Sequence, residues 1–84
     1  MRRVVTVGPE VGLHARPAAA LVAAAARAPG AVRIGREDAA GASMVDAKSI
    51  LSVLTLGAER GQRLILEAED AAVLDELATL IETP

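Results

Sequence analysis

His14 is the sole histidine of an 84-residue sequence that contains no cysteine, and it stands directly before Ala15, Arg16 and Pro17. A neutral imidazole nitrogen can attack phosphorus, and imidazole reaches its neutral form near physiological pH, so an accessible histidine suits reversible phosphoryl carriage. The neighbouring residues favour that chemistry. An apolar run begins at Ala15. If it is helical, the free amides near Ala15 and Arg16 can face a phosphoryl group on His14 while the helix dipole favours its charge. Pro17 offers no such donor, but it is tolerated in a first helical turn and restricts the backbone of the residue before it. Arg16 presents several guanidinium donors without losing charge, which suits phosphoryl oxygens or an acidic partner. A cation at a helix start carries a local electrostatic cost, and a phosphoryl dianion would offset it. Read in isolation, a lone histidine beside a helix is more often structural or incidental than chemical, and Arg16 fits an incidental surface arginine as well as a functional one.

Composition excludes most other chemistry. One histidine is too few for a protein-built zinc site, and without cysteine there are neither thiolate ligands nor disulfides. Phe, Tyr and Trp are absent although 52% of the residues are hydrophobic, so the core must come from Ala, Leu, Val and Ile, and base stacking is unavailable. With no dense basic run, nucleic-acid binding is not expected. Neither is membrane insertion, since no apolar run reaches roughly 18 residues, and the chain reads as cytoplasmic. No paired carboxylates or nucleophile–base–orienter set suggests a hydrolase. Gly12 and Gly57 read as turn residues, with no Walker-type loop, and Met44 as an adaptable packing residue. No cofactor or metal is expected. Residues 1–63 hold nine basic and five acidic side chains and residues 64–84 six acids and no base, formal charges of +4 and −6 that sum to the net −2. A basic face around Arg16 could therefore steer acidic proteins toward His14.

The elements that must position these residues follow from patterning. Val4 to Val7 form a strand candidate ended by Gly8-Pro9, and Gly12 breaks the chain before His14. A helix is predicted from about Ala15 to Arg27, with Ala18, Leu21, Val22 and Ala25 on its buried face and Pro29-Gly30 closing it. A second strand is expected through Ala31, Val32 and Ile34, then a turn at 37–42 and a third strand near Ala42–Val45. Asp46 is expected to cap a brief helix from about Ala47 to Leu54, with Ser49 in its first turn and Ile50 in the core. A further strand carries Leu64, Leu66 and Ala68, and Asp70 opens a helix bearing Val73, Leu77, Leu80 and Ile81. The order strand–helix–strand–strand–helix–strand–helix favours an α+β sheet with helices on one side.

The segment Gly12-Leu13-His14-Ala15-Arg16-Pro17-Ala18 resembles the active-site segment of the histidine-containing phosphocarrier (HPr) family of the sugar phosphotransferase system. Lys48-Ser49-Ile50-Leu51 resembles that family's regulatory-serine segment at a matching distance, so the resemblance extends over essentially the whole chain. It implies one HPr-like domain over residues 1–84, a monomeric open-faced sandwich of four antiparallel strands with three helices on one face. It also implies a relay in which phosphate passes from phosphoenolpyruvate through enzyme I to His14, with Nδ1 the acceptor, and on to enzyme IIA proteins or domains. Arg16 matches the family's active-site arginine. The chain would then be a protein substrate in a relay rather than an enzyme with its own turnover.

Ser49 matches the serine modified in part of the family by HPr kinase/phosphorylase, although Ser52 stands where members with well-developed serine control typically carry glycine. The family's docking shoulder implies Ala19, Leu51 and Leu54, with Arg16 and Lys48 at its rim. Residues 35–43 look slightly longer than the usual connection. Two alternatives share these residues: a carrier of the nitrogen-related phosphotransferase branch, and a regulatory domain that binds partners without relaying phosphate.

Overall fold

The computed structural model describes residues 1–38 and 44–84. In chain order the elements are β1 (Arg2–Thr6), α1 (Ala15–Ala26), β2 (Arg33–Arg36), β3 (Val45–Asp46), α2 (Ile50–Leu54), β4 (Arg63–Glu67) and α3 (Ala71–Glu82). The strands form one antiparallel sheet in the order β1-β4-β2-β3; the four antiparallel strands with three helices on one face are those the family resemblance implies.

Two-residue alternation decides which strand residues meet the helices. Val5 pairs with Leu64, and Leu66 with Ile34; all four are buried. The other face is open to solvent, and across it Arg2, Glu67, Arg33 and Asp46 stand in one register row, alternating in charge over all four strands. Opposite charges side by side satisfy that row without a covering layer.

Alanine shapes the helical layer. Ala18, Leu21, Ala24 and Ala25 are the buried residues of α1, while Val22 is half-buried, so the inward stripe lies slightly further round the helix than its sequence pattern indicates. Small side chains let α1 pack against α3, and the absent aromatics are replaced by many short aliphatic contacts. On α3 the Asp70 side chain caps as expected, accepting from the Ala72 N–H at 2.8 Å, and Leu74, Leu77, Ala78 and Ile81 turn inward. Val73 and Leu80 are half-buried at its margins.

The second helix departs from expectation. It begins at Ile50, and its N-cap is Ser49, whose Oγ accepts from the Ser52 N–H. Asp46 instead closes the preceding turn, its Oδ1 accepting from the Lys48 N–H at 2.9 Å and its carbonyl from the Ser49 N–H at 3.1 Å. Two residues able to cap stand three apart, and the turn takes the first. In so short a helix only Val53 is buried, whereas Ile50, expected in the core, is 37% exposed. The third strand is Val45–Asp46, of which Val45 alone belongs to the expected Ala42–Val45 stretch; Ala42 and most of the 35–43 connection lie outside the described residues.

Arg36 lies two residues beyond Ile34 and reaches the end of α2, its Nη1 donating to the Leu56 carbonyl at 3.4 Å. Its Nε and Nη2 grip both oxygens of Asp38 at 3.0 and 2.8 Å. That hydrogen bond, with the guanidinium charge, holds the Asp38 carboxyl below its ordinary value of 3.8. A carboxyl more acidic in the folded state stabilises the fold above its unfolded pKa and loses that contribution as pH falls through the lower folded value. Asp38→Asn should thus be less stable than the wild type at neutral pH, with the gap in urea midpoints closing on acidification; a gap that widens in acid would contradict the pairing.

Candidate functional site

A backbone constraint sets up the end of the molecule where His14 stands. Pro9 to Gly12 form a tight turn, with the Gly12 N–H donating to the Pro9 carbonyl at 2.9 Å. Gly12 has a φ of +76°, and a Cβ there would lie 2.5 Å from the Ala58 carbonyl oxygen, so both conformation and space exclude a side chain. The next residue, Leu13, donates its N–H to that same carbonyl at 2.8 Å and sinks its side chain into the core at 3% exposure. With Leu13 turned in, His14 is turned out.

His14 is exposed and extended at the N-cap of α1, where its carbonyl accepts the first helical hydrogen bond, from the Ala18 N–H at 2.8 Å. No side chain caps this helix start and its first turn carries no acid. Since Pro17 has no N–H, the donors left at the positive end of the helix are the amides of Ala15 and Arg16. An anion bound at His14 would meet both donors and dipole.

The electrostatic setting is equally particular. Six arginines form ion pairs, Arg2 with Glu67, Arg3 with Asp75, Arg27 with Glu76, Arg36 with Asp38, Arg60 with Glu10 and Arg63 with Glu37. Arg33 donates to the Met44 carbonyl and Lys48 to the Ala28 carbonyl. Among the described residues, Arg16 alone of the basic side chains has neither an ion pair nor a hydrogen bond. Its guanidinium, two residues from His14, is exposed and open to an incoming anion.

The remaining predicted residues divide. Ala19 is exposed one turn along α1. Leu51 is 73% exposed and Leu54 38%, an apolar shoulder on α2 joined by Ile50, and the chain runs from Leu54 directly to the Ala58 carbonyl that holds Leu13. Lys48 is not brought to this end. Its half-buried ammonium donates to the Ala28 carbonyl at 2.8 Å, beyond the C-terminal end of α1, about 18 Å of helix from His14. The expected rim of Arg16 and Lys48 is therefore split, because a lysine beside a helix C-terminus gains from the carbonyls gathered there. Ser49 has its hydroxyl engaged as the α2 cap. Sequence reasoning missed the Ala58 carbonyl, a backbone group whose side chain gives no signal of its use.

Among the described residues, three hollows of about 310 to 520 Å³ are lined by side chains other than His14. One of about 520 Å³ lies beyond the other end of α1, lined by Met1, Ala28, Val32, Ala68 and Val73 together with Glu69 and Asp70, and it contains no histidine, cysteine, serine or threonine. Among the described residues no group of three or more metal-ligating side chains is placed to hold an ion, and no helix is long and apolar enough to cross a membrane.

Against known proteins, residues 1–83 match the family described as the phosphorylation site of the HPr component of the phosphotransferase system. The chain belongs to the HPr family. The phosphocarrier protein HPr of Haloferax volcanii is 44% identical over an alignment covering 100% of this chain and 96% of that protein. That of Streptomyces coelicolor is 45% identical, with 94% and 85% covered. The crystal structure of HPr from Bacillus anthracis superposes with a TM-score of 0.83 at 27% identity, over 96% of this chain and 95% of that one. The protein is thus a phosphocarrier that relays a phosphoryl group in sugar uptake through a phosphohistidine, in a family that interacts with enzyme I and enzyme IIA.

The Gly12 contact yields a direct test. Gly12→Ala should lower stability by about 2 kcal/mol or more in urea unfolding, from positive-φ strain together with the clash against Ala58. Gly57, at φ +57° with nothing within 4 Å of the position a Cβ would take, should cost only about 1 kcal/mol as Gly57→Ala, from the left-handed backbone alone. Equal losses would show that the close approach of the His14 loop to Ala58 is unimportant.

Proposed function

We propose that His14 is the residue that carries the phosphoryl group, accepting it at Nδ1 from phosphorylated enzyme I and surrendering it to an enzyme IIA protein or domain. One observation carries this reading: an exposed histidine sits at an uncapped helix start beside Arg16, the one basic side chain without an ion pair or hydrogen bond among the described residues. In the transfer the nitrogen lone pair forms the bond to phosphorus as the donor's bond to phosphorus breaks. The amides of Ala15 and Arg16 hold the transferred oxygens, Pro17 fixes the turn that presents those amides, and the guanidinium of Arg16 follows the charge. Water is excluded by the docked partner rather than by a pocket of this chain, which suits a relay protein without independent turnover.

Ala19, Leu51 and Leu54 would form the apolar part of the docking surface, with Arg16 steering acidic partners. Lys48 would contribute indirectly, by holding the start of α2 against the end of α1. Ser49 is a secondary candidate, for HPr kinase/phosphorylase: a phosphate on its Oγ would replace the hydroxyl acceptor of the α2 cap by a dianion. The setting we infer is a cytoplasmic monomer acting as one domain.

Incubation with enzyme I and phosphoenolpyruvate should add one acid-labile phosphoryl group, seen by intact mass and mapped to His14. His14→Ala should fold and accept none, and stoichiometric labelling of that variant would overturn the assignment. Arg16→Ala should accept the group on the order of 10- to 100-fold more slowly. The double change Leu51→Ser and Leu54→Ser should weaken enzyme I binding by calorimetry with the circular dichroism spectrum retained; unchanged affinity would remove these leucines from the interface.

A further inference from the structure

The Ala58 carbonyl that sets Leu13 belongs to the peptide unit whose other end is the N–H of Glu59. That N–H donates to the side-chain oxygen of Gln62 at 2.8 Å. One planar peptide is thereby gripped from both ends: Gln62 Oε1 holds its N–H, and its carbonyl holds Leu13 at 2.8 Å. Because the peptide is rigid and trans, its N–H and C=O point in opposite directions, and fixing one fixes the aim of the other. Hydrogen bonds in series through an amide also polarise one another, strengthening the carbonyl as an acceptor.

Gln62 is itself held. Its N–H donates to the Glu59 carbonyl at 3.0 Å, closing the turn, and its carbonyl accepts from the Val7 N–H at 2.9 Å, just beyond β1. The Gly61 N–H donates to the Val7 carbonyl at 2.9 Å, so the turn hangs from the sheet by two bonds. From this anchored base the amide side chain, half-buried, reaches back across the turn.

We propose that Gln62 is a positioning residue for phosphoryl transfer: its side-chain oxygen orients the peptide between Ala58 and Glu59 and so sets the backbone that turns His14 and the α1 amides outward. This rests on His14 as the acceptor, and it adds a residue that touches neither the phosphoryl group nor the partner. Its consequence lies in the rate of transfer rather than in binding, since the docking leucines are on a different element and remain in place.

The test compares Gln62→Leu, which keeps bulk without an acceptor, with Gln62→Glu, which keeps an acceptor oxygen. In the unphosphorylated protein, amide hydrogen exchange at Leu13 should speed up about 10-fold in Gln62→Leu while exchange at Leu66, in the centre of the sheet, stays unchanged. With enzyme I and phosphoenolpyruvate, Gln62→Leu should lower the maximal rate of acceptance at least several-fold without moving the enzyme I concentration at half-maximal rate. Gln62→Glu should restore most of both. Unchanged exchange at Leu13, equal acceleration at Leu66, failure of Gln62→Glu to rescue, or faster Leu13 exchange with an unaltered transfer rate would each overturn the proposal. Exchange requires no phosphoryl donor. If the wild type proved not to be phosphorylated on His14, the carrier reading would fall separately, while exchange at Leu13 would still decide whether Gln62 orients this backbone.

Discussion

The hydrogen bond from the Leu13 N–H to the Ala58 carbonyl decides which residues of the segment leading into α1 face water. Rotating the chain by one residue at that point would bring His14 inward and expose a leucine, placing an imidazole in an aliphatic core that offers it no partner. Three features make the opposite choice secure: the positive φ of Gly12, its close approach to Ala58, and the burial of Leu13. Each acts on the backbone or on a neighbour, and none touches the imidazole. Among the described residues no side-chain hydrogen bond or ion pair holds the imidazole, an arrangement that would suit a group loaded by one partner and unloaded by another.

The charge arrangement works by subtraction. Nine basic side chains would otherwise spread a positive field over most of the surface. Among the described residues six are paired with carboxylates, and Arg33 and Lys48 are tied to backbone carbonyls, leaving Arg16 beside the open end of α1. Exposed pairs add little stability. Their larger effect here is to concentrate unspent positive potential where a phosphoryl group would arrive, and the α1 dipole adds to it.

Much of this was legible in the sequence where a single strong signal stood alone. The strand pattern around Leu64 and Leu66, the Asp70 cap and the break before His14 each have no competitor, and the structure has all three. Around α2, signals competed. Asp46 and Ser49 both cap well, and which one does so depends on how the turn docks on the end of α1, a tertiary fact. Ile50 and Val53 are both aliphatic, and in a helix of five residues periodicity cannot choose the buried one. Lys48 was legible as a cation but not in its direction, since a flexible four-carbon stem can serve either end of a neighbouring helix. The Ala58 carbonyl was beyond reach, because every residue has one.

If the uncapped start of α1 is the seat of the phosphoryl group, its amides must register the group's arrival. The most direct measurement is the ¹H–¹⁵N spectrum before and after phosphorylation by enzyme I. The Ala15 and Arg16 amides should show the largest downfield proton shifts in the chain, as their N–H groups take up charged oxygens, with the Ser49 and Ser52 amides nearly unmoved. Largest shifts at Ser49 and Ser52, with Ala15 and Arg16 unchanged, would contradict it.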